Sequence, residues 1–132
     1  MPNEGNTSKI IEWVLRIAVA GEFTGHGMIA LLNLNPKWPT WIQKFVSVDT
    51  HTAVQLLFII GLIDLIAAFT VLVKPIRIVL LWMVFWGFWT ALVRPFVGEM
   101  AWDFIERWAN WGAPLALLLL RGWPRSVKEW LE

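Results

Sequence analysis

The chain has no cysteine and no tyrosine among its 132 residues, and only 16% of the residues are charged. Without cysteine there is no disulfide, no thiol nucleophile and no thiolate ligand for zinc or an iron–sulfur cluster. The sequence also has no Gly-rich phosphate loop, HExxH or GxSxG motif. Its net charge is +1, with basic residues beside apolar segments rather than in a stripe, so nucleic acid is not an expected partner.

Apolar residues are abundant instead, at 58% with eleven Trp, and they are concentrated in four windows of about 19 to 25 residues. The windows are Ile10–Leu34, Ala53–Val73, Ile76–Val97 and Trp102–Leu120. A helix crosses a ~30 Å hydrocarbon layer with ~20 apolar residues, so each window is long enough. The sequence predicts an all-α fold, with residues 1–132 forming a single membrane domain. That domain is an integral membrane four-transmembrane-helix antiparallel bundle, so the lipid bilayer is its first partner.

The distribution of Lys and Arg outside the windows indicates the orientation. The side with both termini and the second connection carries six of them: Lys9, Lys74, Arg77, Arg121, Arg125 and Lys128. The other side carries Lys37 and Lys44, with Arg94 and Arg107 close to it. Because cytoplasmic loops are enriched in Lys and Arg, we expect both termini in the cytoplasm. The expected location is a bacterial inner (cytoplasmic) membrane, crossed several times.

The connections between the windows differ in length. Lys74-Pro75 is short enough to force an antiparallel hairpin between the second and third helices. The first link, Asn35–Thr52, is long and rich in Pro, Trp and Lys, which favours a short segment lying flat in the headgroup region. Asp49 at its end is a predicted N-cap for the second helix.

Ionisable side chains inside apolar spans are costly and usually functional. Six such residues are candidates for ligand binding or proton handling: Glu22, His26, Asp64, Arg94, Asp103 and Arg107. Glu22 and His26 are four residues apart and share a helix face. Beside them a GxxxG pair at Gly21 and Gly25, with Gly27 adding another small surface, favours close helix approach. The pattern predicts a polar pocket opening outward, with Glu22 and Asp64 at its floor.

Each candidate also has a purely structural interpretation. Asp103 and Arg107 belong to a polar stripe that also suits a solvated helix start, and Arg94 can extend to the headgroups. Glu22 and Asp64 can form hydrogen bonds that hold helices together, and His26 can be a histidine packed in the core. Both interpretations remain open at the level of sequence.

Three tryptophans on the third helix, Trp82, Trp86 and Trp89, fall on one stripe. A stripe of this kind suits a pocket for a flat ring such as a quinone, a pigment or a lipid-like ligand, or a packing surface. Haem is not favoured, since its two available imidazoles, His26 and His51, differ in depth. The sequence assigns no metal site and leaves the cofactor unidentified, with quinone the leading candidate.

The chain resembles the DoxX-like membrane proteins from about Arg16 to Gly122. Helix 1 of that family opens with Arg and continues through a Gly-rich stretch, as in Arg16-Ile-Ala-Val-Ala-Gly21-Glu-Phe-Thr-Gly25-His-Gly27. Helix 2 carries an acidic residue after a Gly, as in Gly61-Leu-Ile-Asp64. Met28-Ile29 stands where the family usually has a Lys, and the C-terminal Ser-x-Asp is missing. The resemblance implies a small membrane subunit associated with quinone-linked or other oxidoreductase systems.

These observations give two functional hypotheses. The first is a DoxX-like accessory subunit of a membrane redox system, with Glu22, His26 and Asp64 as proton-handling or ligand-orienting groups. The alternative is a structural or assembly subunit of a larger membrane complex with no chemistry of its own. In both cases the expected protein partners are other membrane subunits or further copies of the chain. A carrier or channel is less favoured because the sequence lacks repeats and paired broken helices. No enzymatic reaction follows from the residues.

Overall fold

The computed structural model of the chain describes residues 3–132, so Met1 and Pro2 of the expected domain lie outside the described residues. This part of the chain is all-helical, without a β-strand. Its helices are α1 (Glu4–Leu31), α2 (Lys37–Phe45), α3 (Thr50–Val73), α4 (Arg77–Phe96), α5 (Ala101–Ile105), α6 (Ala109–Leu120) and α7 (Val127–Trp130).

Three of the helices, α1, α3 and α4, are long and apolar enough to cross a membrane. Their outward faces carry large apolar side chains, among them Phe69, Ile66 and Phe85, each about two-thirds exposed. Such a surface is unfavourable in water but matches hydrocarbon, where apolar side chains lose nothing by facing outward. Length, composition and surface together indicate a membrane protein.

The fourth apolar window is not one continuous helix. The predicted span Trp102–Leu120 is divided into α5 and the 12-residue α6, with a turn at residues 106–108. In this turn the amide of Arg107 bonds to the Phe104 carbonyl instead of the Asp103 carbonyl. The Arg107 side chain takes the vacated position and donates to the Asp103 carbonyl at 2.8 Å. Pro114 lies inside α6, which continues through that residue.

The bundle is built around α1. Helix α1 packs against α3 on one side and α6 on the other, and α4 packs against α6. The core between these helices contains buried Val19, Phe23, Leu80, Met83 and Leu117. The short helix α2 lies against α3, so the segment predicted in the first link is helical. Helices α3 and α4 make few contacts with each other, although only Lys74–Ile76 separates them.

Close approach of α1 and α3 depends on Gly27 and Gly61. A Cβ at Gly61 would lie 2.7 Å from both the Gly27 carbonyl oxygen and the Leu31 nitrogen. Of the three glycines predicted to allow close approach, Gly27 has this role, whereas a Cβ at Gly21 or Gly25 meets nothing within 4 Å. The GxxxG pair itself therefore does not pack against α3.

The two ends of the bundle are distinct. At one end, here called the termini end, Glu12 of α1 forms an ion pair with Arg121 after α6 at 3.2 Å. Arg16 is buried there and donates to the carbonyls of Val71, Leu72 and Val73, which end α3. The opposite end, here called the α2 end, contains α2 and the start of α3.

Candidate functional site

A cavity of about 390 Å³ lies at the α2 end, between α3 and α4 and beneath α2. Its wall includes Trp38, Trp41 and Phe45 from α2, Leu57 and Ile60 from α3, and Trp86, Trp89 and Val93 from α4. The ionisable side chains in the wall are His26 and Arg94, and Thr90 is the remaining polar one. The sequence prediction of a polar pocket is therefore corrected: the cavity is apolar with a few polar groups.

His26 joins the cavity to a buried carboxylate. Its Nδ1 lies 2.9 Å from Oδ2 of Asp64, which is fully buried between α1 and α3. Asp64 fits there because Gly27 has no side chain, since a Cβ on Gly27 would lie only 3.0 Å from the Cβ of Asp64. The imidazole also packs on Trp38, with 4.7 Å between ring centroids. Two neighbours thus fix the ring, and Nε2 has no partner within residues 3–132.

Arg94 supplies the positive charge of the cavity. Its guanidinium carbon lies 5.3 Å from the ring centre of Trp41. Two other basic residues near this end have acidic partners: Lys37 with Glu99 at 3.1 Å, and Arg107 with a glutamate of its own turn at 2.6 Å. Within the described residues Arg94 has no ion pair, and its Nε has no hydrogen-bond partner. An unpaired cation in a largely apolar wall favours a ligand that brings an acceptor or a negative charge.

The predicted tryptophan stripe is divided by the fold. Trp86 and Trp89 line the cavity, whereas Trp82 lies one turn further along, stacked on Trp86 with ring centroids 5.5 Å apart. Trp38 and Trp41 complete the aromatic wall. Sequence reasoning missed these last two as site residues because their position in a headgroup segment suggested an interfacial belt. The usable signal was the amphipathic pattern of α2, which turns both indoles toward the bundle.

The other predicted site residues lie outside the cavity wall. Glu22 is half-buried one turn from His26, without a hydrogen bond to any described residue. Asp103 and Arg107 form a separate cluster at the α5–α6 turn. Across residues 3–132 no group of three or more His, Asp or Glu side chains is arranged to hold a metal ion. His26 and Arg94 line the cavity and His26 contacts Asp64, whereas Glu22, Asp103 and Arg107 are not part of the cavity wall.

Three nitrogen atoms of the wall residues are buried without a hydrogen-bond partner among the described residues. These are the indole nitrogens of Trp38 and Trp86 and Nε of Arg94. With Nδ1 protonated toward Asp64, Nε2 of His26 accepts a proton in the neutral ring and donates in the charged one. The arrangement suits an apolar ligand that carries acceptor oxygens and exchanges protons. The chain matches no family model, no curated protein and no solved structure in our comparisons.

Proposed function

We propose that this protein is a small accessory subunit of a membrane redox system, of DoxX-like type, that binds the ring of a quinone in the cavity beneath α2. The observation that carries the proposal is the His26–Asp64 pair. His26 lines an apolar cavity with aromatic walls, and the same side chain contacts a buried carboxylate. A hydrogen-bonded imidazole at a ring-sized cavity provides a proton donor and acceptor where quinone oxygens need one.

The residues present fit a quinone ring. The cavity of about 390 Å³ lies within the ~300–1,000 Å³ typical of small-molecule sites. Its wall offers indole faces for stacking, and His26 and Arg94 are the ionisable wall residues available to acceptor oxygens on a ligand. A bound quinone would supply two-electron, two-proton redox chemistry, with the electrons coming from a partner redox subunit.

Each polar residue has a definite role in this proposal. Nε2 of His26 would donate a hydrogen bond to a bound quinone, and His26 would hold or release a proton at this atom. Asp64 fixes the ring orientation of His26 through Nδ1 and stabilises the imidazolium when His26 is charged. Arg94 would supply positive charge to a bound quinone, and the aromatic wall would exclude water from the cavity.

We also propose that α5, the 106–108 turn and α6 together form the fourth span of the bundle. Helix α6 alone would cover ~18 Å, but the whole segment 101–120 approaches the ~30 Å required. Its packing against α1 and α4 supports this arrangement. The lysine and arginine distribution favours a cytoplasmic termini end in a bacterial inner membrane.

Quinone binding is tested on the purified protein in nanodiscs, with a short-tailed ubiquinone analogue and quenching of tryptophan fluorescence as the readout. We expect saturable binding that His26→Asn and Arg94→Gln each weaken about tenfold, the loss of one hydrogen bond or charge contact. His51→Asn and Arg107→Gln are matched controls, since neither residue lines the cavity. Equal effects in the control and cavity variants would contradict the proposal.

A second candidate function is supported by the face of α1 that nothing covers. Gly21 and Gly25 are exposed, and a Cβ on either would meet open space. Small residues allow helices from another membrane subunit, or from a second copy, to approach closely. This face suits an assembly subunit whose role is to hold a complex together. Gly25→Leu tests it, because the assembly hypothesis predicts loss of co-purifying subunits while quinone binding is retained.

A further inference from the structure

A second groove continues from the cavity along the same pair of helices. It has a volume of about 390 Å³ and is lined by Ile63, Ile66, Ala67 and Thr70 of α3 and by Ile78, Val79 and Trp82 of α4. On α3 it begins one turn beyond Ile60 of the cavity wall, and on α4 one turn beyond Trp86. The stacked pair Trp82–Trp86 marks the boundary between the two spaces.

From this continuity we infer that the occupant of the cavity is a long-tailed isoprenoid quinone, whose tail lies in the α3–α4 groove and points toward the termini end. This inference rests on the proposed function, because it assigns the remainder of the same ligand. Helices α3 and α4 make few contacts with each other, and Ile63, Ile66 and Trp82 of the groove wall are exposed, so the groove is open toward the surrounding lipid. A tailed ligand reaches the cavity from the bilayer without crossing a helix.

The polarity of the two spaces fixes the direction of the ligand. The cavity wall includes the ionisable side chains of His26 and Arg94, and Nε2 of His26 has no partner among the described residues. The groove has one polar side chain, Thr70, and its hydroxyl already donates to the Ile66 carbonyl at 2.8 Å. The groove wall therefore has no side-chain donor without an acceptor. A hydrocarbon chain can occupy the groove without leaving a polar side chain unpaired. The ring belongs at the α2 end and the tail toward the middle of the membrane.

The combined length favours a tail of several isoprene units over a bare ring. Residues 56–70 of α3 line the two spaces in succession and cover ~21 Å at 1.5 Å per residue. One leaflet of the hydrocarbon core measures ~15 Å, so the path continues past the bilayer centre. When a quinone ring occupies the cavity, the groove remains available for the tail of the same molecule or for the chains of a lipid.

The test compares a short-tailed and a long-tailed ubiquinone analogue in nanodiscs, with ligand expressed as a mole fraction of lipid so that partitioning is equal. Val79→Phe narrows the groove, and Val73→Phe is the matched control, since Val73 is exposed outside the groove. Thr70→Phe is a second groove variant whose hydroxyl bonds only to its own helix. We expect both groove variants to weaken the binding of the long-tailed probe about fivefold, because contacts with the tail are lost. The binding of the short-tailed probe should be unchanged.

The outcomes separate this inference from the proposed function. If the short-tailed probe binds and both groove variants change the affinity for the two probes by the same factor, the tail assignment is wrong and the proposed function stands. If neither probe binds the wild-type protein, the proposed function fails and the tail assignment with it. Recovery of a two-chain phospholipid from the groove by native mass spectrometry, undisplaced by the long-tailed quinone, would also overturn the tail assignment.

Discussion

At the scale of single residues, the central feature is a carboxylate buried between two apolar helices. Asp64 is fully enclosed, and its second oxygen, Oδ1, has no partner within residues 3–132. Burying such a group costs several kcal/mol unless it is hydrogen-bonded, on the order of ~2–7 kcal/mol for a neutral polar group. The contact with His26 offsets part of that cost and ties the fold of α1 on α3 to the proposed chemistry.

Substitution of Asp64 separates the fold from the proton chemistry. Asp64→Asn keeps an oxygen that accepts from Nδ1 of His26, so we expect a melting temperature in detergent close to wild type. Asp64→Leu leaves Nδ1 buried without a partner, at an expected cost of ~1–3 kcal/mol. We expect Asp64→Asn to weaken quinone binding all the same, since a neutral amide cannot balance a charged imidazole. Wild-type binding by Asp64→Asn would make Asp64 only a link between helices.

The glycines of α1 and α3 make a matched pair of stability tests. Gly61→Ala places a Cβ 2.7 Å from backbone atoms of α1, which cannot move without separating the helices. We expect a loss of ~1–3 kcal/mol, typical of overpacked sites, measured by thermal unfolding in detergent. Gly25→Ala is the control because its Cβ meets nothing within 4 Å, and it should be neutral or slightly stabilising. Equal destabilisation by both would contradict the observed packing.

At the scale of elements, side chains rather than backbone amides complete several helix ends. The last carbonyls of α3 lack helical partners, and Arg16 of α1 donates to three of them. In a similar way Arg77 at the start of α4 donates to the carbonyls of Arg121 and Gly122 after α6. These two arginines tie the ends of four helices together at the termini end.

Removal of the Arg16 guanidinium should therefore loosen α1 from α3. Arg16→Met keeps most of the apolar stem but leaves the carbonyls of residues 71–73 without donors, at an expected cost of ~1–3 kcal/mol. Arg16→Lys should restore only part of this, because one ammonium cannot reproduce the planar fork of donors. Unfolding in detergent measures both, with the exposed Arg125→Met as the control. An unchanged stability of Arg16→Met would show that lipid or water replaces the donors.

The start of α3 provides a test that depends on pH. Hydrogen bonds from the side chain and backbone of Thr52 lower the pKa of Asp49, which caps this helix. Because the folded pKa lies below the ordinary ~3.9, the cap stabilises α3 above that value and loses its effect as the pH falls through the lowered pKa. Hydrogen-exchange protection of the Thr52 amide should fall in this acidic window. Asp49→Ala should show low protection and no such pH dependence.

Sequence patterns were reliable where one helix alone decides the outcome. Three of the helical spans and the N-cap at Asp49 follow from local chemistry and hydrophobic length, and the structure contains them. Patterns failed where a neighbouring helix decides. The spacing of Gly21 and Gly25 matches a packing motif as well as Gly27 does, and only the rotation of α1 against α3 selects Gly27.

The candidate site shows the same division. His26 and Asp64 were recognisable because charged groups in apolar spans are rare. The choice of His26 rather than Glu22 as the partner of Asp64 depends on the packing of α1 against α3. The aromatic wall from α2 forms because the link returns over the bundle. The amphipathic pattern of α2 indicates which face of the helix is buried, but it does not indicate against which helices. Asp103 could not be separated from the site by sequence, since the break at 106–108 arises from Arg107 bonding to its own turn.

At the scale of the whole molecule, the helices form a bundle that is closed on one side and divided on the other. Helix α1 packs on α3, α6 packs on both α1 and α4, and α3 and α4 make few contacts with each other and line the cavity and the groove. The apolar exterior and the division between α3 and α4 together give a lipid-soluble ligand direct access to His26. In our proposal, ring binding at the α2 end and tail binding along the groove both depend on this feature.

The most direct measurement of the central claim is photolabelling with an azido-quinone in nanodiscs, followed by peptide mapping. Our account predicts that label is incorporated on α2 and on the Trp86–Arg94 stretch of α4, that excess long-tailed quinone suppresses it, and that His26→Asn reduces it. Label spread over the outward faces of the helices, undiminished by competitor, would contradict the account and show that the cavity holds no quinone.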